Sequence, residues 1–370
     1  MKIGILTQPL KYNYGGLLQN FALQYILRQA GHEVFTYSWS SQEPSSNRST
    51  KLYLILKLKK AVRYLMKNNK RITTENFNEF KDKYIDCSNF CISSDDFREF
   101  TLAESVQAII VGSDQCWRPK YNFPHLEDMF MQFAKDIHPL KRISYAASFG
   151  TDTWEFSEEQ SARCSNLIKM FDVVTTREES GIYLCQKYLG VNAKHVLDPT
   201  LLLDRSIYAK VVSDLHTHSS PGTLYYYILN ISQEKKAFIE VMGKETSLVP
   251  FCVARNGQTV NNFPGIIVPP SVQSWIKGFI DAKMVVVDSF HGMVFSIIFN
   301  KPFWVIGNQS RGMARFESLL NMFGLTERLV DPRSFNIKDV WAPIDWDMVN
   351  TKLTVLKSDS INTLLNSLNE

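Results

Sequence analysis

Short apolar runs followed by helical patterns recur along the chain, which is typical of parallel β-sheets covered by helices. Residues 3–6 form the first apolar run, and the pair Gly15 and Gly16 predicts a turn before the first helix. The apolar stripe of that helix consists of Leu18, Ala22, Tyr25 and Ile26. The helix is expected to stop near Gly31, and residues 34–39 predict a second strand. This βαβ opening indicates a parallel sheet, without the G-x-G-x-x-G spacing of a dinucleotide-binding site.

Four later apolar runs in the first half of the chain each lead into small and polar residues. The runs occupy residues 108–111, 143–147, 173–176 and 196–197. The polar residues that follow them include Ser113, Asp114, Ser148, Arg177 and Asp198. Because the carboxyl ends of parallel strands meet at one edge of a sheet, we expect these side chains to border a single large cleft.

The second half of the chain repeats the alternation and predicts a separate domain. Strands are predicted at residues 224–229, 248–253, 284–287 and 303–307, and helices at residues 234–241, 271–282 and 292–299. The chain therefore divides into an N-terminal α/β domain of residues 1–200, a C-terminal α/β domain of residues 201–340 and a helical tail of residues 341–370. Two such domains facing each other would place His291 on one wall of the cleft and Asp114 or Arg177 on the other.

Composition limits the possible functions. The 370 residues are 45% hydrophobic and 12% aromatic, which suits folded domains, and the net charge of +4 argues against binding to bulk nucleic acid. The six cysteines are scattered and lack the partners of a zinc site, so we expect reduced thiols. The first residues do not resemble a signal peptide, and no apolar run approaches the ~18 residues of a membrane span. These features predict a cytoplasmic protein without a nucleic-acid partner.

Residues 51–71 carry eight lysine and arginine residues and no acidic residue, interleaved with apolar positions. A basic amphipathic helix of this kind either lies on an anionic membrane surface or packs its apolar face on the domain and leaves its lysines in water. Packing is the commoner fate of such a stripe and is the favoured interpretation. The alternative predicts peripheral contact with the inner face of a membrane.

The strand at residues 284–287 and the residues after it are the most informative segment for function. The residues from Ser289 to Gly292 predict a turn that holds His291 where open α/β sheets bind their ligands. Gly292 would let a substrate approach the backbone. A histidine in this place either acts as a general acid and base or packs and caps the next helix.

One carboxylate and three arginines are further candidates for the cleft. Asp114 follows its strand as a general base, a helix cap or an arginine partner. Arg177 lies near a predicted helix start, where it either binds a carboxylate or phosphate or pairs with a neighbouring glutamate. Arg311 and Arg315 lie on a loop that leads into a helix at residues 316–322 and suits an anion. Since no metal cluster, P-loop or G-x-S-x-G motif is present, we expect action on a small anionic donor without metal or cofactor.

Six short motifs in series resemble those of the polysaccharide pyruvyl transferase family. They are Asn13-Tyr14-Gly15-Gly16 with Gln19-Asn20, Val111-Gly112-Ser113-Asp114-Gln115 with Trp117, residues 144–150, residues 176–181, residues 197–202, and Asp288-Ser289-Phe290-His291-Gly292. The resemblance rests on their order and on their span from about residue 13 to residue 316. It implies a GT-B-like α/β fold, in which two Rossmann-like domains with parallel sheets face a cleft.

The resemblance also implies a reaction. Phosphoenolpyruvate would donate its pyruvyl group to two hydroxyls of a sugar in a cell-surface polysaccharide or its lipid-linked precursor, forming a ketal and releasing phosphate. His291 would be the general acid and base, and Asp114 a hydroxyl base or a sugar-orienting acceptor. Arg177 matches a donor-binding arginine of the family. Arg315, Arg311, Ser289 and Gly292 complete the expected donor site.

The expected acceptor or cleft residues are Asn13, Tyr14, Gly15, Gln19, Ser113, Gln115, Trp117 and Ser148. One position departs from the family, because several members carry an arginine two places before the histidine, where this chain has Ser289. Arg315 or Arg311 would have to supply that charge.

The competing hypotheses are a GT-B glycosyltransferase that uses a nucleotide-sugar and a non-catalytic glycan-binding relative.

Overall fold

The structure is a computed structural model that describes residues 1–39, 71–122, 124–213, 219–253, 266–267, 269–308 and 312–369. The strands are β1 (Lys2–Leu6), β2 (Glu33–Trp39), β3 (Arg71–Ile72), β4 (Cys87–Cys91), β5 (Ala108–Val111), β6 (Lys141–Ser144), β7 (Thr175–Thr176), β8 (Lys194–His195), β9 (Leu224–Tyr227), β10 (Pro250–Phe251), β11 (Ile266–Ile267), β12 (Met284–Val287), β13 (Phe303–Ile306) and β14 (Leu329–Val330). The helices are α1 (Tyr14–Gln29), α2 (Glu75–Tyr84), α3 (Ser94–Ala103), α4 (Pro119–Asn122), α5 (Glu158–Ile168), α6 (Ser180–Leu184), α7 (Arg205–Ser213), α8 (Gln233–Thr246), α9 (Val272–Asp281), α10 (Phe290–Ile298), α11 (Ala314–Phe323) and α12 (Trp346–Asn369). Residues 51–70 of the basic segment and Arg311 lie outside the described residues, so the expectations for them stay predictions.

A five-stranded parallel sheet forms the centre of the N-terminal domain, in the order β4-β2-β1-β5-β6. Every residue of β5 is buried, which explains why this strand is an unbroken apolar run. Isolated parallel bridges from Ile143 to Val173 and from Ala147 to Thr176 continue the sheet towards β7 and β8. Strand β6 ends at Ser144, before the predicted end at residue 147. Ala146 has a left-handed φ of 49°, and its N–H donates to the side chain of Thr175, so this residue does not continue the strand.

A second five-stranded parallel sheet forms the C-terminal domain, in the order β10-β9-β12-β13-β14. Its central strand, β12, is buried along its whole length and corresponds to the predicted strand at residues 284–287. The strand predicted at residues 248–253 shortens to β10, which begins at Pro250, a residue without an N–H to donate. Helices cover both faces of each sheet, since separate apolar clusters lie on either side.

The two domains share one continuous apolar cluster, which runs from α1 to α9 and α10. Tyr14 stacks on Trp275 with ring centroids 5.5 Å apart, and its hydroxyl donates to the carbonyl of Pro270 at 2.8 Å. The last helix, α12, returns to the first domain, where Ser360 accepts a hydrogen bond from the backbone N–H of Leu197 at 3.0 Å. These contacts hold the carboxyl ends of the two sheets against each other. In the described part of the chain, no helix is both long and apolar enough to span a membrane.

Candidate functional site

A cavity of about 190 Å³ lies between the carboxyl ends of the two sheets. The first domain contributes Tyr12, Asn13, Tyr14, Gly15, Asp114 and Gln115, and the second contributes Tyr227, Leu229, Asp288, Ser289, Phe290, His291, Arg315 and Phe316. The cavity therefore brings together the predicted catalytic pair His291 and Asp114 with two predicted donor residues, Ser289 and Arg315. Tyr12, Asp288 and Phe290 are lining residues that sequence reasoning did not assign to the site.

The first turns of three helices border this cavity. Tyr14 and Gly15 begin α1, His291 lies in the first turn of α10, and Arg315 in the first turn of α11. The side chain of Asn13 does not cap α1, since its Nδ2 donates to Asp114 Oδ2 at 3.2 Å. Helix N-termini carry partial positive charge and unpaired N–H groups, so this arrangement suits an anion.

The backbone around His291 differs from the predicted turn. Helix α10 starts at Phe290 instead of Gly292, because Ser289 Oγ caps it by accepting the N–H of Gly292 at 3.0 Å. A Cβ on Gly292 would lie 2.8 Å from a Val287 methyl group. The absence of a Cβ at Gly292 therefore allows close packing of the helix on the strand, and the approach of a substrate to this residue stays a prediction.

Asp198 lies next to His291, with its Oδ2 3.6 Å from Nε2 of the imidazole. Within the described residues Nε2 is buried without a hydrogen-bond partner. Asp198 itself is 1% exposed and accepts hydrogen bonds from Ser113 Oγ at 3.0 Å and from both the N–H and the hydroxyl of Thr200. The sequence signal for this residue was its place after the apolar run at residues 196–197, the same signal that selected Asp114.

Arg177 lies between two carboxylates and outside the cavity lining. Its Nη1 donates to Asp198 at 3.0 Å and its Nη2 to Asp114 at 3.3 Å, and its Cζ lies 4.5 Å from the ring centre of Phe290. The side chain is only 1% exposed. Arg177 is thus part of a buried ion-pair network, and its direct contact with a donor stays a prediction. The alternative pairing with a neighbouring glutamate is absent among the described contacts, and Glu178 accepts backbone N–H groups.

Electrostatics keep the site carboxylates ionised. Burial raises the pKa of Asp114, but the positive charges of Arg177, His291 and Arg315 outweigh it and leave the pKa below its ordinary value. Burial and the charge of Arg177 lower the pKa of Arg315 to about 10, so this guanidinium is still charged at neutral pH. A carboxylate with a lowered pKa is a weak base, which favours Asp114 as a hydrogen-bond acceptor that orients a hydroxyl.

Four predicted acceptor residues do not line the cavity: Gln19, Ser113, Trp117 and Ser148. Trp117 packs in the core and donates to the carbonyl of Met129, and Ser148 donates to Glu178. These residues shape the loops at the strand ends, whereas Asn13, Tyr14, Gly15 and Gln115 reach the cavity. Among the described residues, no three His, Cys, Asp or Glu side chains are grouped as ligands for a metal.

Gly15 offers a test of the contact between the two domains. A Cβ on Gly15 would lie 2.0 Å from His291 Nδ1. Alanine favours helix by about 1 kcal/mol over glycine, yet we expect Gly15→Ala to destabilise the protein by about 1–3 kcal/mol through overpacking. Urea unfolding would measure this, and the control is the same change in a His291→Ala background, where it should be neutral or stabilising. An equal loss in both backgrounds would contradict the contact.

A comparison with protein families finds that the model described as polysaccharide pyruvyl transferase matches residues 13–310 of the 370-residue chain. The chain belongs to this family. The match confirms the resemblance that the six motifs indicated. No curated protein matches this pyruvyl transferase family member in sequence.

Solved structures show the same architecture. A UDP-GlcNAc 2-epimerase from Neisseria meningitidis, bound to UDP-GlcNAc, superposes with a TM-score of 0.56 at 8% identity, covering 99% of this chain and 100% of that chain. A UDP-GlcNAc 2-epimerase from Methanocaldococcus jannaschii, in complex with UDP-GlcNAc and UDP, gives a TM-score of 0.50 at 10% identity, covering 100% of this chain and 99% of that chain. At such identities the likeness shows the fold alone, and it confirms that this pyruvyl transferase family member has the predicted GT-B-like fold.

Proposed function

We propose that the protein transfers the pyruvyl group of phosphoenolpyruvate to two hydroxyls of a sugar in a cell-surface polysaccharide or its lipid-linked precursor. The observation that carries the choice of donor is the cavity, which combines Arg315, His291 and three helix N-termini in about 190 Å³. This volume is below the ~300–1,000 Å³ of sites for drug-sized ligands, so it fits a compact anion better than a nucleotide-sugar. Family membership supports transfer to a polysaccharide.

Arg315 is the residue proposed to bind the donor's phosphate or carboxylate. It shares the cavity with Ser289, the position where several family members carry an arginine, and so supplies the missing charge. The N-terminal turns of α10 and α11 border the same cavity, and the positive end of a helix dipole attracts an anion. Arg177 supports the site indirectly by holding Asp114 and stacking on Phe290.

The proposed reaction uses the proton of His291 first. The imidazolium protonates the methylene carbon of phosphoenolpyruvate, and a sugar hydroxyl bonds to the electrophilic second carbon while its proton returns to His291. The carbon–oxygen bond to phosphate then breaks with its electron pair. The second hydroxyl bonds to the same carbon, its proton leaves with the phosphate, and the ketal is closed. Asp114 orients the attacking hydroxyl by accepting its hydrogen bond.

Donor binding is the first prediction to measure. Phosphoenolpyruvate should raise the melting temperature of the native protein, and Arg315→Ala should weaken its binding about 10- to 100-fold, since a hydrogen bond to a charged group contributes about 1.5–3 kcal/mol. Arg315→Lys should keep part of the binding. Arg333→Ala, which removes an exposed arginine paired with Asp331, is the matched control and should bind like the native protein.

The alternatives give different results in the same assay. Stabilisation by UDP-sugars without stabilisation by phosphoenolpyruvate would favour a GT-B glycosyltransferase. Phosphate release should require both phosphoenolpyruvate and a sugar acceptor, tested with a pool of galactosides, mannosides and lipid-linked sugars. Sugar binding without any binding of phosphoenolpyruvate would favour a non-catalytic glycan-binding relative and contradict the proposal.

A further inference from the structure

A second groove, of about 500 Å³, opens on the N-terminal domain beside the cavity. It is lined by the loop between β1 and α1, the end of β2, helix α2 and strand β4. Tyr12 lines both spaces, so the groove and the cavity are neighbours in the fold. A ligand in the groove would therefore lie close to the cavity that holds His291.

Two exposed aromatic rings border the groove. Phe90, on β4, is 56% exposed, and Tyr12 is 39% exposed, although both are large apolar rings. Tyr37 and Trp39 lie deeper in the groove wall, and their polar atoms are already hydrogen-bonded within the protein. An exposed aromatic ring is suited to stacking against the apolar face of a pyranose.

The polar residues of the groove point to the charge of its ligand. Lys11 and Lys81 line it together with Ser38 and Asn78, and no carboxylate is among the described lining residues. Hydroxyl and amide groups suit the hydroxyls of a sugar, while the ammonium group of Lys81 favours a ligand with negative charge. Aromatic rings, neutral polar groups and this lysine in one groove fit an acidic saccharide.

We propose that this groove binds the acceptor and that the acceptor is an acidic saccharide, with its sugar ring on Phe90 and its carboxylate or phosphate at Lys81. The term acceptor rests on the proposed function, because it assumes that a donor occupies the neighbouring cavity. The binding of an acidic saccharide does not depend on that assumption and is measured without phosphoenolpyruvate.

The experiment is a glycan array that carries neutral, uronate-containing and phosphorylated oligosaccharides, probed with the native protein and with variants. Phe90→Ala should weaken binding to acidic glycans about tenfold or more through loss of stacking. Lys81→Gln should weaken it too and reduce its dependence on salt. The controls are Trp341→Ala, which removes an aromatic ring that is 50% exposed elsewhere, and Lys244→Gln on the exposed side of α8, and both should bind like the native protein.

Each result decides the proposal. Preference for uronates would place the charge on the sugar, whereas preference for phosphorylated glycans would indicate the phosphate of a lipid-linked precursor. Absence of binding to every acidic glycan, equal binding of neutral ones, or native-like binding by both groove variants would overturn it. Thermal stabilisation by phosphoenolpyruvate is measured on the same variants as a test of folding. Glycan binding without any such stabilisation would overturn the proposed function and leave the groove assignment standing.

Discussion

Replacing His291 with alanine is expected to lower turnover by about 10²- to 10⁴-fold, the range that a general acid and base contributes. The imidazole lies in the first turn of α10, beside the cavity and 3.6 Å from Asp198, and it is the only histidine among the described residues that line the cavity. Binding of phosphoenolpyruvate should be largely kept, because Arg315 and the helix N-termini remain. Acceptor-dependent phosphate release measures turnover, and thermal shift measures binding.

The matched variant is His291→Asn, which keeps a polar side chain in the space but does not transfer protons near neutral pH. It should lose as much turnover as the alanine variant while retaining more of the native stability. Turnover within a few-fold of the native value in either variant would show that the proton comes from another group. Equal loss of phosphoenolpyruvate binding and turnover would instead assign His291 to donor binding.

Asp198→Asn is expected to destabilise the fold by about 3–5 kcal/mol, although it changes few atoms. The side chain is fully buried, and its loss of charge would leave the buried guanidinium of Arg177 with Asp114 as its remaining ion-pair partner, at 3.3 Å. Urea unfolding at neutral pH measures the change. The control is Asp204→Asn, whose 76% exposed side chain pairs with Lys357 at the surface, and it should cost about 1 kcal/mol or less. Equal effects of the two variants would contradict a stabilising role for the buried network.

The pH dependence of this variant follows from the charges around Asp198. Burial raises the pKa of Asp198, but the charges of His291 and Arg177 lower it more, so its pKa in the folded state lies well below that in the unfolded chain. The group therefore stabilises the fold above its unfolded pKa of about 3.9, and this contribution is lost as the pH falls towards the folded value. The difference in unfolding free energy between native protein and variant should therefore shrink as the pH falls below the unfolded pKa of the carboxyl group.

Much of the fold was predictable because it depends on local patterns. The strands at residues 108–111 and 284–287 are continuous apolar runs, and the structure places them at the buried centres of the two sheets. Boundaries were less predictable where side chains outside the segment decide them. Ser289 caps α10 and moves its start to Phe290, and the pair Gly15 and Gly16 lies inside α1 instead of forming a turn.

The candidate site was predictable only as a set of residues. Asp114 and His291 were selected because they follow apolar strands, and the structure places both at one cavity. The same rule applied to Asp198, which was not assigned to the site because nothing local shows that two strands bring it to Arg177 and His291. Trp117 and Ser148 occur within motifs of the family yet lie in the interior, since a motif also includes residues that shape its loop.

The sequence by itself determined the family, the alternation of strands and helices, and the polar residues at the strand ends. Each of these depends on short motifs or on the local order of apolar and polar residues. Only the tertiary structure decided which of these residues meet. Arg177 pairs with Asp114 and Asp198, and His291 lies against Gly15, because strands and helices far apart in the chain converge at one interface between two domains. The cavity combines Asp114 of the first domain with His291 and Arg315 of the second, so its charged groups and its small volume both arise from that convergence.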